Sequence, residues 1–153
     1  MSEEQLSKDL YILLNGKALA VKQHEAMMLL TVSEDGWPHT AMVSVGEIIA
    51  INRKELRIGL WPNTSTTSNI VRTGKATLVV FYRGKANYIR LSLEDLEELP
   101  KTNYPRKRFA VTVVSMREDY AKYAEITSGI RIELKDPKEV VKRWNQTVLD
   151  LLQ

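Results

Sequence analysis

From Ala26 to Leu93 the chain runs as short apolar or β-branched stretches, each cut off by a tight turn. Ala26–Ser33 is apolar and unbroken, the pattern of a strand buried on both faces. Glu34-Asp35-Gly36 turns the chain, and Trp37-Pro38 leads into a second strand at about His39–Val45. Ile48–Ile51 and Leu56–Trp61 read as two further strands, joined by the polar turn Asn52-Arg53-Lys54-Glu55. Ala76–Tyr82 is rich in β-branched and aromatic residues, and Arg83-Gly84-Lys85 turns it into Asn87–Leu93. Strands joined by such short turns pair in opposite directions, because a parallel neighbour needs a long crossover. The pattern therefore predicts an antiparallel sheet closing into a small barrel, not a doubly wound parallel sheet.

Helical patterns flank and interrupt these strands. Ser2 and Gln5 have capping-box spacing, and Leu6, Leu10, Leu13 and Leu14 fall on one helical face before Asn15-Gly16. A short helix at about Ser65–Arg72 ends at Thr73-Gly74. Arg108–Met116 and Ile130–Leu134 supply two more strands, with a helical turn expected between them near Glu118–Ala124. Asp136 as N-cap, Pro137 at N1 and Glu139 open a last helix, whose apolar stripe is Val140, Val141, Trp144, Val148 and Leu151. No repeat or linker divides the chain, so the expectation is one α+β domain over residues 1–153.

Composition narrows the chemistry. The 153 residues are enough to bury a core without staples, and the absence of cysteine excludes disulfides, thiolate metal sites and cysteine nucleophiles. The N-terminal MSEEQLSKDL lacks the apolar centre of a signal peptide, and no apolar run reaches bilayer length, so a soluble, cytoplasmic protein is expected. A net charge of +3 raises the question of nucleic acid, but the basic residues mostly alternate with acidic ones. Only PRKR at 105–108 is densely basic; it reads as a solvated loop, with an anionic ligand the alternative. Two histidines do not make a histidine-rich metal site: His24 reads as solvated, and His39 as a strand-edge residue. No HExxH, GxSxG or GxxxxGK[ST] motif occurs, and no carboxylate pair stands out as a dyad. No catalytic residue or metal ligand is assigned; any hard chemistry would belong to a cofactor.

One stretch invites such a cofactor. In WPNTSTTSN, residues 61–69, five hydroxyl residues run consecutively from Thr64 to Ser68, just before the short helix. Small hydroxyls and free N–H groups at a helix N-terminus provide what a phosphate needs. The same residue types are the ordinary N-caps, so phosphate binding and plain capping both remain open.

The order of elements, with DGWPHTAMVSV and TSTTSNIVRTGKATLVVF carrying the match, resembles the pyridoxamine 5′-phosphate oxidase-like family over about residues 26–93. That family comprises FMN-binding split barrels. The resemblance implies a mainly antiparallel split β-barrel of about seven strands with N- and C-terminal helices. It implies FMN as cofactor, with Thr40, Ala41, Met42, Val43 and Ser44 on the strand lining the flavin ring. Leu60 and Trp61 would lie beside the ribityl chain; Thr64, Ser65 and Thr66 would meet the phosphate, supported by Asn69. It also implies a homodimer with cofactor sites at the interface, and Phe81, Tyr82, Tyr88, Ile89 and Leu91 offer apolar strand surface for it.

The chain departs from the family in charge. Hydroxyls stand where the oxidases carry Arg and Lys in the phosphate loop, and Ala41 and Gly46 stand where their flavin strand has Arg and Lys. Arg72, Lys75 or a partner subunit would have to supply charge, and RWNQTVLDLLQ lacks the Arg-rich substrate signature. The expectation is therefore a flavin-dependent oxidoreductase acting on a small molecule, other than an authentic pyridoxamine phosphate oxidase. A flavin- or haem-binding sensing module, and a barrel serving as an interaction domain, are the alternatives.

Overall fold

The computed structural model describes residues 2–99 and 105–153. Along the chain the elements are β1 (Ser2–Glu3), α1 (Lys8–Leu14), α2 (Leu19–Lys22), β2 (Glu25–Val32), β3 (Pro38–Ser44), β4 (Ile48–Ala50) and β5 (Glu55–Leu60). Then come α3 (Ser65–Thr73), β6 (Lys75–Tyr82), β7 (Lys85–Asp95), β8 (Lys107–Asp119), β9 (Ile130–Arg131) and α4 (Pro137–Leu152).

Seven strands pair in the order β3-β2-β6-β7-β8-β5-β4, every pair antiparallel. The two end strands of this path, β3 and β4, are separated by only residues 45–47. A sheet whose opposite ends are tied by so short a connection must curl to bring them together at that corner, while β3 and β4 stay unpaired and leave the barrel split. Glu47 fixes the corner: its N–H donates to the Ser44 carbonyl at 3.2 Å, and its own carbonyl accepts from Gly59 N–H at 2.9 Å.

Alternation along each strand sends one set of side chains inward. Leu29, Leu78, Ile89 and Met116 stand abreast across β2, β6, β7 and β8, and all are buried. Leu56 and Ile58 continue the core on β5, and α1 and α4 cover it with Leu10, Leu13, Leu14, Trp144, Val148 and Leu151. Asp136 caps α4 by accepting from Glu139 N–H, with Pro137 in the first turn, as the capping pattern predicts.

Several expectations are corrected. Beyond Ala26, which β9 covers, β2 is buried on one face only: Met27, Leu29 and Thr31 are buried, whereas Met28 and Leu30 are half-exposed and Val32 is exposed. Ser7, not Ser2, caps α1, because its hydroxyl reaches Leu10 N–H at 3.3 Å. Ser2 and Glu3 pair instead with Arg117 and Met116. No helix forms near Glu118–Ala124: β8 runs on to Asp119, where Ala86 of β7 is its partner, and only a turn follows at Lys122–Tyr123. The strand expected at Ile130–Leu134 shortens to Ile130–Arg131, paired with Ala26 and Glu25. PRKR is no solvated loop, since Lys107 opens β8 and Arg108 is 7% exposed. Ile89 and Leu91 lie in the core, so they offer no outer surface. Among the described residues, no helix is long and apolar enough to cross a membrane.

Candidate cofactor site around the start of the third helix

The hydroxyl run divides into residues that build the helix and residues left over. Thr64 is the N-cap of α3, its extended backbone placing its hydroxyl 3.1 Å from Thr67 N–H. The Thr64 hydroxyl also lies 3.0 Å from that of Thr67, which in turn donates to the Trp61 carbonyl at 2.9 Å. These two threonines therefore tie the end of β5 to the helix start. At the other end Gly74, with φ of +66°, donates its N–H to the Ile70 carbonyl at 2.7 Å. That left-handed cap is conformationally easy only for glycine and a few others.

Ser65 and Thr66 are the first two helical residues, so their N–H groups have no acceptor within the helix. Ser65 is exposed and Thr66 buried. Asn69 is 4% exposed and already engaged: its amide donates to the Thr31 hydroxyl at 3.0 Å and accepts from Arg72 at 3.1 Å. It braces α3 against β2, and Arg72 completes the brace by donating to the Val32 carbonyl. The positive charge of Arg72 is thus held toward the strand end.

Among the flavin-strand residues, Thr40 and Met42 of β3 are exposed, Ala41 is half-buried, and Val43 and Ser44 are buried. β3 ends the strand order, so one edge of its backbone stays outside the ladder. Leu60 is buried at the end of β5, whereas Trp61 is 55% exposed. His39 is half-buried on β3, and His24 Nδ1–H donates to the Ile132 carbonyl at 3.0 Å, so His24 is tied to the chain rather than solvated. Among the described residues, no group of three or more His, Asp or Glu is placed to hold a metal ion.

A second cluster abuts this site, and sequence reasoning missed it. The Arg106 guanidinium lies 3.7 Å from the Trp61 ring centroid, a cation–π stack. Glu47, half-buried at the β3–β4 corner, accepts from both Ser44 N–H at 3.0 Å and Ser44 Oγ at 2.8 Å. Burial pushes the Glu47 carboxyl above the usual carboxylate range, against the opposing pull of those bonds and of Arg106. Burial, with Arg143 nearby, likewise lowers Arg106, while Glu47 opposes that shift. PRKR was the one visible signal; the stacking of Arg106 on Trp61 and its electrostatic pull on Glu47 are long-range and leave no local pattern.

The outer face of the sheet carries its own apolar surface. Met28, Leu30 and Val32 of β2 align with Met42, Thr40 and Pro38 of β3, and Val32 and Met42 are 50% and 59% exposed. Val114 adds to it on β8, where the register shifts opposite Arg90 and Leu91.

No family model matches the chain. Solved structures share its fold at low identity. A Lactobacillus delbrueckii protein named "putative pyridoxamine 5′-phosphate oxidase" has a TM-score of 0.58 at 18% identity, covering 75% of this chain and 95% of that one. An FMN-binding protein from Syntrophomonas wolfei has a TM-score of 0.51 at 15% identity, covering 70% and 86%. The styrene monooxygenase flavin reductase of Pseudomonas putida S12 has a TM-score of 0.50 at 11% identity, covering 69% and 86%. Sequence likeness is much stronger to "Uncharacterized protein YclD" of Bacillus subtilis (strain 168), 52% identical over 146 residues and covering 95% of each chain. The chain accordingly belongs to the family of that Bacillus protein, and its fold is the pyridoxamine 5′-phosphate oxidase-like split barrel.

Proposed function

We propose that this protein binds FMN and acts as a flavin-dependent oxidoreductase on a small molecule, as a cytoplasmic homodimer. The observation that carries the reading is the start of α3, where the N–H groups of Ser65 and Thr66 have no acceptor within the helix and Ser65 is exposed, a few residues after the exposed Trp61. A helix of nine residues presents partial positive charge there, which suits a terminal phosphate although the loop 61–69 itself has no Lys or Arg. Ser65 and Thr66 are the residues to hold it; Thr64 shapes the loop as its cap, and Asn69 fixes the helix against β2. The free edge of β3, with Thr40 and Met42 exposed, offers backbone and side-chain contacts to a planar ring. FMN, when bound, supplies reversible hydride and electron transfer. The names of the fold neighbours, an FMN-binding protein and a flavin reductase among them, support the cofactor class.

An apolar patch on the outer face supports the dimer. Exposed Val32 and Met42 with half-exposed Met28 and Leu30 form a patch that a second subunit would cover, replacing the Ile89 and Leu91 surface read from sequence.

The absorbance spectrum of the purified protein, before and after adding FMN, tests the cofactor. Flavin bands that stay with the protein on gel filtration support the reading; their absence at saturating FMN overturns it. Bleaching by NADH or NADPH, with recovery in air, tests turnover. A light-scattering mass of 17.5 kDa, that of one chain, across micromolar concentrations would refute the dimer.

A further inference from the structure

The outer face of the sheet holds a groove of about 740 Å³ at the far end of α3 from Ser65, bounded there by Thr73 and Gly74. Its walls include Leu30 and Val32 of β2, Thr77 of β6, Arg90 of β7 and Val114 of β8. Arg90 stands exposed on this face because its neighbours Ile89 and Leu91 take the inward positions. Its Cα partners are Thr77 on β6 and Ser115 on β8, so no carboxylate lies opposite it. The charged residues diagonal to it, Lys75 and Arg117, are both cations. Arg117 is taken up by stacking on Tyr88 at 4.6 Å and by Asp119 at 4.0 Å. Among the described residues, the Arg90 and Lys75 side chains have no hydrogen-bond acceptor and no ion-pair partner.

Charge and apolar surface are ordered along the groove. Leu30, Thr77 and Arg90 stand in one row across β2, β6 and β7, and Val114 sits at the register shift beside Arg90. The wall carboxylate, Glu94, lies four residues further along the same face of β7, about 13 Å away. On that side too is the carbonyl end of α3, where the Gly74 carbonyl accepts from Leu93 N–H at 2.9 Å. One end of the groove is therefore negative, and the Arg90 end is positive with apolar side chains next to it.

We propose that this groove binds a small amphipathic anion, a carboxylate on an apolar skeleton, with the carboxylate on Arg90 and the skeleton against Leu30 and Val114. A guanidinium group suits a carboxylate because its planar N–H fork matches the two oxygens and keeps its charge. With Glu94 at the far end, the groove suits one negative charge better than the two of a phosphate. Its volume is that of a small-molecule site. The site goes beyond the flavin reading and does not rest on it, because it uses none of the donors at the start of α3. Leu30 and Val32 are shared with the patch proposed for the second subunit, whereas Thr77 and Arg90 lie beyond it.

The test is calorimetric titration of the purified protein with benzoate and, separately, with hexanoate, at constant ionic strength set with chloride. Saturable binding of at least one is expected, with a rise in melting temperature by mass action. Acetate, which lacks the skeleton, and benzyl alcohol, which lacks the charge, should each bind at least about tenfold more weakly. Arg90→Gln should weaken binding about tenfold or more, since it removes a charge-assisted contact. Lys142→Gln, on α4, should leave it unchanged. The light-scattering mass should be the same with and without the bound anion. The site is overturned if neither benzoate nor hexanoate saturates, or if Arg90→Gln binds them as tightly as wild type. A mass that falls as the anion binds would make the groove a subunit contact and overturn it as well. Inorganic phosphate binding more tightly than either carboxylate would overturn the ligand class. Should Arg90→Gln fail to fold, the wild-type titrations with the four probes still decide.

Discussion

A Cβ atom on Gly46 would lie 2.0 Å from Cγ of Trp144, so the indole of α4 packs directly on the backbone of the β3–β4 corner. The contact explains a departure from the family pattern, which places Lys where this chain has Gly46. Here the C-terminal helix occupies the space that a side chain would need. Gly46→Ala should destabilise the fold by roughly 1–3 kcal/mol, the usual cost of overpacking. Urea melts measure it. In a Trp144→Ala background the same change should cost clearly less, because the two residues share one contact.

Asn69 is expected to act in the fold rather than on a ligand. Asn69→Ala removes the donor to the buried Thr31 hydroxyl and the acceptor of Arg72 Nη1, at a cost of about 1–3 kcal/mol. The ratio of FMN to riboflavin affinity should be unchanged in the folded variant. A selective loss of FMN would instead return Asn69 to the phosphate.

Glu47 makes stability depend on pH. Its folded pKa is raised, so it holds its proton more tightly folded than unfolded. Its contribution is therefore complete below the ordinary carboxylate value and is lost as pH rises through the raised one. Glu47→Gln keeps an oxygen to accept from Ser44 and cannot ionise. The variant should gain on wild type as pH rises above the ordinary carboxylate value, and the gap should close in acid. Denaturant melts in acid and at neutral pH check the sign.

What the sequence revealed follows the range of the interactions involved. Turns such as Glu34-Asp35-Gly36 and caps such as Asp136 and Gly74 are set by neighbouring residues, and the strands between them were legible. Ser2 and Ser7 both precede the same leucines, and only the pairing of Ser2 with Arg117 on β8 decides between them. Asn69 could not be assigned because its partner Thr31 is remote in sequence, and the same holds for Arg106 with Glu47. Alternation on β2 was hidden because both of its faces are apolar.

The hydroxyl run can be resolved residue by residue. Thr64 spends its hydroxyl on the cap, whereas Ser65 is exposed at the positive end of α3. Thr64→Ala should therefore lower folding stability by about 1 kcal/mol and weaken FMN and riboflavin alike, if at all. Replacing Ser65 and Thr66 together by Ala removes two side-chain donors proposed to meet the phosphate. Each such bond to a charged group is worth roughly 1.5–3 kcal/mol, so FMN should bind at least about tenfold more weakly. Riboflavin lacks the phosphate, and its affinity should barely change. Fluorescence quenching with both flavins, at a temperature where wild type and variants are folded, gives the comparison. Parallel losses for the two flavins, or no loss for either, would show that Ser65 and Thr66 serve the helix start and not a phosphate.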